Sequence, residues 1–407
     1  MSATLIINAR LVCPTHSDVA HGALLIRDGR IAATGDVTAQ DADIVDAKGA
    51  LLTPGMVDLG VFATDLAACH AGGITRIALM PDGPPPLDNP GLIERAAKAG
   101  KPDLWIHPLA AATRDLAGAE LAEIGLMQQA GARAVATGRH RIADSALMLN
   151  LLRYAGGLGL VTITHAEDEG LVHSAVATDG EMAMRLGLAA APAAAESIAI
   201  ARDIALVEVA GAPLHFRQVT TRAGFDLIRR AKAAGLPVTC GITPAHLLLS
   251  DVALGEWRSF ARLSPALRQE DDRQAALEAV SDGTIDVIAS GHDPRGPEDK
   301  RLPFAAAQPG MAGAASLLAL SLGLVRDGYI SLPRLFDLVA RTPARLLGLD
   351  VGSLTIGAEA DLALIDPATA WRIDARKSPA RASNTPFDGL GVEGRVRALW
   401  KGGKRVA

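Results

Sequence analysis

Ten histidines are spread over 407 residues, and two of them stand where chemistry could be done. His165 lies in Thr164-His165-Ala166-Glu167-Asp168, and His292 in Ser290-Gly291-His292-Asp293-Pro294-Arg295. An imidazole beside carboxylates can bind a metal ion or move a proton. A single-metal hydrolytic site, however, needs at least three protein ligands and an open position for water. The chain has no His-x-His, no His-Glu-x-x-His and no local Cys/His cluster. Cys13, Cys69 and Cys240 form no Cys-x-x-Cys pair, which points to a reducing compartment without a structural zinc knot. No Gly-x-Ser-x-Gly elbow occurs, and Gly352-Ser353 and Gly402-Gly403 read as turns without the strand-to-helix setting of a phosphate cradle. The plain reading of His165 and His292 is a hydrogen-bonded residue at a strand end; the sharper one is weak metal or ligand binding at His165.

The elements that must position these residues fall into three blocks. Residues 4 to 52 alternate short β-like runs with turn signals, including an Asp28-Gly29 hairpin turn, and the last 50 or so residues behave alike. One composite β-sandwich domain, residues 1–52 with 350–407, accounts for both ends. Between them, residues 53–349 alternate apolar runs with Ala/Leu-rich helical stretches. Eight strands are expected at Met56-Leu59, Thr75-Met80, Leu104-Leu109, Ala132-Ala136, Leu160-Thr164, Leu214-Val219, Pro237-Ile242 and Val287-Ser290. Helices are expected at Asn89-Ala99, Leu116-Ala130, Ser145-Gly156, Ala194-Ala210, Thr221-Gly235 and Glu270-Asp282. This is the pattern of a (β/α)8 barrel, an α/β fold whose chemistry sits at the C-terminal ends of the strands. The aliphatic run Ala312 to Val325 reads as a barrel-covering helix.

Specific motifs sharpen this. The run Pro54-Gly55-Met56-Val57-Asp58-Leu59-Gly60-Val61-Phe62, with Ala71-Gly72-Gly73-Ile74-Thr75 and Ile77-Ala78-Leu79-Met80-Pro81 after it, resembles the first strand and crossover of the cyclic amidohydrolases, dihydroorotases in particular. Ala191-Pro192 to Ala201-Arg202-Asp203, Thr243-Pro244-Ala245-His246, Asp282-Gly283-Thr284-Ile285-Asp286 and Asn384-Thr385-Pro386-Phe387-Asp388-Gly389 follow in the family's order. The resemblance covers nearly the whole chain. It implies a TIM-type barrel of the amidohydrolase superfamily and, for an ordinary member, catalytic zinc. At the positions that the resemblance marks as ligands or base, this chain carries Gly60 and Phe62 for the paired histidines, Thr137 for the bridging carboxylate, Gln218 for the sixth-strand histidine and Gly291 for the eighth-strand aspartate. Only His165 keeps its type. Asp293, two residues beyond Gly291, would share a strand face with it. The family's substrate arginine has no counterpart in the shortened stretch after Asp58, its asparagine aligns with Asp82, whose charge should repel an anionic substrate, and its last histidine aligns with Arg295.

The expectation is therefore an empty catalytic site, with His165, His292 and Asp293 as vestiges and no bound metal. The resemblance then implies a non-catalytic dihydroorotase homologue that supports the aspartate carbamoyltransferase catalytic chain in pyrimidine biosynthesis. The alternative is a divergent metal-dependent amidohydrolase acting on a cyclic amide around His165, Glu167, His292 and Asp293, with Asp168 close by. A third reading is a small-molecule sensor using Phe62 as an apolar wall and Arg295 as an anion contact. Net charge of -5 without a dense basic run, and 3% aromatics, argue against nucleic acid. The N-terminal residues read as a strand and not a signal peptide, and no apolar run reaches a membrane span, so a cytoplasmic protein is expected, with a homo-oligomer left open.

Overall fold

The computed structural model describes residues 3–407. Both ends of the chain enter one mixed sheet. Its strands run Lys404–Arg405, Gly391–Lys401, Leu362–Arg372, Leu51–Pro54, Ala3–Leu11, Ala20–Arg27 and Arg30–Gly35, and Ala42–Asp46 also pairs with Ala3–Leu11. Asp28 and Gly29 both take positive φ (52° and 77°), the turn that matches strand twist in a two-residue hairpin. Ile6, Leu24, Ile26, Leu52, Leu362 and Trp400 form this sheet's own core.

The eight expected barrel strands are present: Met56–Val61, Ile74–Leu79, Trp105–Pro108 with its continuation Ala110–Ala111, Val135–Ala136, Thr162–Thr164, Leu214–Phe216, Val238–Ile242 and Val287–Ile288. All neighbours pair in parallel, and the third strand joins two runs of the ladder at its break around Leu109. The barrel closes where the eighth strand meets the first. Asp58, buried on the first strand, accepts the Ser290 backbone N–H at 2.8 Å and the Ser290 hydroxyl, and Phe62 N–H donates to the His292 carbonyl at 2.9 Å.

Helices form where a polar cap precedes periodic apolar residues. Asp144 accepts from the N–H groups of Ala146 and Leu147 at the start of Ser145–Gly157. Thr221 caps Arg222–Ala233, which buries Phe225, Ile228 and Ala231 at helical spacing. The expected helix over Leu116-Ala130 is cut down to Ile124–Gln129. Asp115, Leu116 and Gly118 all take positive φ, and Thr113 bridges to Leu121, so the segment turns back before it can wind. The Ala312-Val325 run gives a 3₁₀ turn at Ala314–Ser316 and a helix at Leu317–Arg326 that buries Leu317, Leu318, Leu320, Leu322 and Leu324. No helix among the described residues is long and apolar enough to cross a membrane.

The barrel and the terminal sheet meet at Arg76. This side chain, on the second barrel strand, donates Nε to Asp361 at 2.7 Å and also pairs with Glu359, while its guanidinium lies 5.1 Å from the Trp105 ring centre. Burial raises the Asp361 carboxyl and Arg76 counters it. Removing one member of a buried pair strands the other. Arg76→Met should therefore cost about 3–5 kcal/mol of stability in urea denaturation. A loss under about 1 kcal/mol, the range of exposed pairs, would show that this junction contributes little.

Candidate active site at the barrel mouth

His165 directly follows the fifth strand, and its two ring nitrogens are both engaged. Arg217 donates to Nδ1 at 3.0 Å. A guanidinium can only donate, so Nδ1 accepts and the ring proton sits on Nε2, which donates to Glu167 at 3.1 Å. Glu167 also receives Arg268 at 2.8 Å, and Arg268 reaches Thr220 and Thr178 at 2.9 and 3.1 Å. Glu196, fully buried on the helix Ala194–Ala210, accepts the backbone and hydroxyl groups of Thr220 and Thr221 and lies 3.4 Å from Arg268. That grip fixes the loop after the sixth strand, and with it Arg217 and Gln218.

Phe62 forms the wall between two cations. Arg139 stacks 3.9 Å from its ring centre and Arg217 lies 5.2 Å away. Arg139 donates to Asp293 at 2.7 Å, and Arg295 reaches the same carboxylate at 3.1 Å. Arg217 donates Nη1 to Gln218 at 2.8 Å and keeps its Nε unpaired. Burial pulls Arg217 down to about 10, so it remains charged at neutral pH. Asp82 accepts the Arg139 backbone N–H at 2.8 Å with one oxygen; the other has no partner. Burial raises Asp82, with Arg139 and Arg217 opposing. The charge expected to repel an anion is thus flanked by guanidinium groups. Phe62, Arg139, Arg217, Gln218 and Asp293 line a cavity of about 30 Å³, room for about two waters, and Asp82 and Arg295 stand outside its lining.

The sequence-selected residues do not all gather here. His165, Gln218, Phe62 and Asp293 do. His292 is fully buried elsewhere: its Nδ1 accepts the Ala314 N–H at 3.3 Å and its Nε2 faces Asp65 at 3.6 Å. Asp168 caps the short helix Glu169–Val172 and pairs with Arg141 at 2.7 Å. Thr137 accepts the His165 N–H at 3.3 Å. Asp293 does not share a strand face with Gly291, because the eighth strand ends at Ile288 and Gly291 takes φ +60°. Arg139, Arg217 and Arg268 are the charged residues of this mouth that sequence reasoning did not select. For Arg217 the available signal was a charge directly after the apolar strand Leu214–Phe216.

The donor set does not fit a catalytic metal. Among the described residues, no three of His, Cys, Asp and Glu converge to hold an ion. His165 has its lone pair tied to Arg217. Gly60 and Gly291 have left-handed φ (+94° and +60°), a conformation in which a histidine or aspartate would be strained.

Glu167 reports on the network. Burial raises it, but the hydrogen bond from His165 and the charge of Arg268 prevail and hold it at about 2, against an ordinary 4.5. A carboxyl depressed in the folded state favours folding above its unfolded value and loses that contribution as pH falls. Stability should drop by about 3 kcal/mol from this group between about pH 5 and pH 2. Urea denaturation of Glu167→Gln should give lower stability at neutral pH and a shallower acid limb. Equal slopes in variant and wild type would refute the assignment.

Comparison with known proteins identifies the chain's relatives. The amidohydrolase family model matches residues 121–406. A dihydroorotase of Citrifermentans bemidjiense is 36% identical, with 96% of each chain covered. One of Geobacter metallireducens is 38% identical over 89% of each. Among solved structures, the L-hydantoinase (dihydropyrimidinase) of Arthrobacter aurescens superposes with a TM-score of 0.89 at 26% identity, covering 100% of this chain and 96% of its own. The expectation of a non-catalytic partner of aspartate carbamoyltransferase is corrected by these findings: relatives along almost the whole chain are named as the enzyme. That expectation treated Gly60, Phe62, Gln218 and Gly291 as simple losses, whereas the mouth they frame is filled with a connected set of charged side chains.

Proposed function

Since the chain belongs to the amidohydrolase family, we propose that it is a dihydroorotase-like cyclic amidohydrolase, opening or closing a dihydropyrimidine ring at the barrel mouth. The observation that carries this reading is the 36% identity to a dihydroorotase over 96% of both chains. The mouth offers groups suited to such a ring. Phe62 supplies a flat apolar face, and Arg139 and Arg217 flank it with donors for a carboxylate or for the oxygen of a carbonyl under attack. Buried donors already in place stabilise developing negative charge without reorganising. Asp82, beside Arg139 with one oxygen unpaired and its affinity for protons raised, stands outside the residues that line the cavity, so a base role for it requires the mouth to open. Leu263-Ser264 and Pro309-Met311 line the cavity, and a six-membered ring needs them to draw back, since about 30 Å³ does not hold one.

Purified protein should interconvert dihydroorotate and its ring-opened ureido acid, followed in both directions. Arg139→Met and Arg217→Met should each lower kcat/KM by about 10²–10³ if they stabilise the oxyanion. No turnover in either direction at high protein concentration would overturn the reading.

A further inference from the structure

We propose that the guanidinium of Arg217 is a built-in cation that takes the place of the family's metal ion and receives an oxyanion of the carboxylate class at its unpaired Nε. Four separate contacts put it there, each at a position that the family resemblance marks as a metal ligand. Its Cδ and Cγ lie 3.4 and 3.6 Å from where a Cβ on residue 60 would be, so the stem fills space that Gly60 leaves. Its charged end lies over the Phe62 ring. Nη2 takes the lone pair of His165, and Nη1 is held by the Gln218 carbonyl oxygen. A metal ion bound through these positions would have to displace Arg217 from all of them.

Of the nearby carboxylates, Asp82 keeps one oxygen unpaired, and the other two are committed. Glu167 is held by His165 and Arg268, and Asp293 by Arg139 and Arg295. Arg217 is only 6% exposed, yet its Nε has no partner while the side chain lines the cavity. A buried donor left free beside a small cavity is the feature expected of a site whose last acceptor comes from a ligand. A planar guanidinium suits a carboxylate in charge and shape, and being weakly hydrated it tolerates burial better than an ammonium.

The inference shares its site with the dihydroorotase reading but needs no turnover, so the two fail separately. Zinc and guanidinium ion are the probes. Wild-type protein grown with added zinc and desalted without chelator should carry far less than stoichiometric zinc, and its melting temperature should be the same with excess zinc or with EDTA. Arg217→Ala should melt lower, and guanidinium chloride at concentrations too low to denature should raise its melting temperature while leaving wild type unmoved. Stoichiometric zinc in wild type, with a chelator-induced drop in melting temperature, would overturn the proposal. So would an Arg217→Ala protein that guanidinium does not stabilise beyond its effect on wild type. Should that variant not fold, Arg217→Lys, which keeps the charge, decides: it should fold free of zinc, and stoichiometric zinc in it would refute the idea. A catalytic null in the ring-opening assay changes none of these readouts.

Discussion

The barrel mouth depends on one chain of charge-assisted hydrogen bonds: Gln218 to Arg217, Arg217 to His165, His165 to Glu167, Glu167 to Arg268, with Glu196 beneath. Each member is buried and would be costly alone, because an unpaired charge or donor in a low-dielectric interior loses its hydration without recompense. Linked, they fix one another's orientation, and the direction of every proton follows from the two obligate donors, Arg217 and Arg268. The tautomer of His165 is set by Arg217 and needs no further assumption.

This network also organises the backbone around it. Glu196 holds four donors of Thr220 and Thr221, so the turn after the sixth strand is tied to the helix Ala194–Ala210. Asp58 does the same for the seam between the first and eighth strands through Ser290. Both are carboxylates spent on backbone N–H groups at strand ends, the places where parallel strands run out of partners. The functional end of the barrel is thereby stiffened by polar contacts, and its body by the apolar interior that includes Leu59, Ala78, Ala136 and Ile163.

Much of this was legible in the chain itself. Short apolar runs bounded by turn residues identified all eight barrel strands, and periodic segments such as Ser145–Gly157 identified the longer helices, while short ones such as Pro244–Leu248 and Leu332–Phe336 were not read. The failures have physical causes. Leu116-Ala130 is rich in helix formers, but tertiary pairing of Thr113 with Leu121 overrides propensity. Residue types at Gly60, Phe62, Gln218 and Gly291 could be read, yet what fills the space could not. Arg217 and His165 are 52 residues apart, and Arg268 and Glu167 are 101 apart, so the network exists only after folding. Treating substituted positions one at a time therefore could not reveal the connected set of charged side chains that occupies the mouth.

The left-handed backbone at Gly60 and Gly291 has an evolutionary consequence. In this conformation a side chain costs of order 1–3 kcal/mol before it makes any contact. At Gly291 the added Cβ would also sit 2.9 Å from the Thr243 methyl carbon. A mutation that placed histidine at 60 or aspartate at 291 would be selected against for stability long before a ligand set was complete. Acquiring a side chain at either position is in that sense closed to small steps until the main chain itself is redrawn.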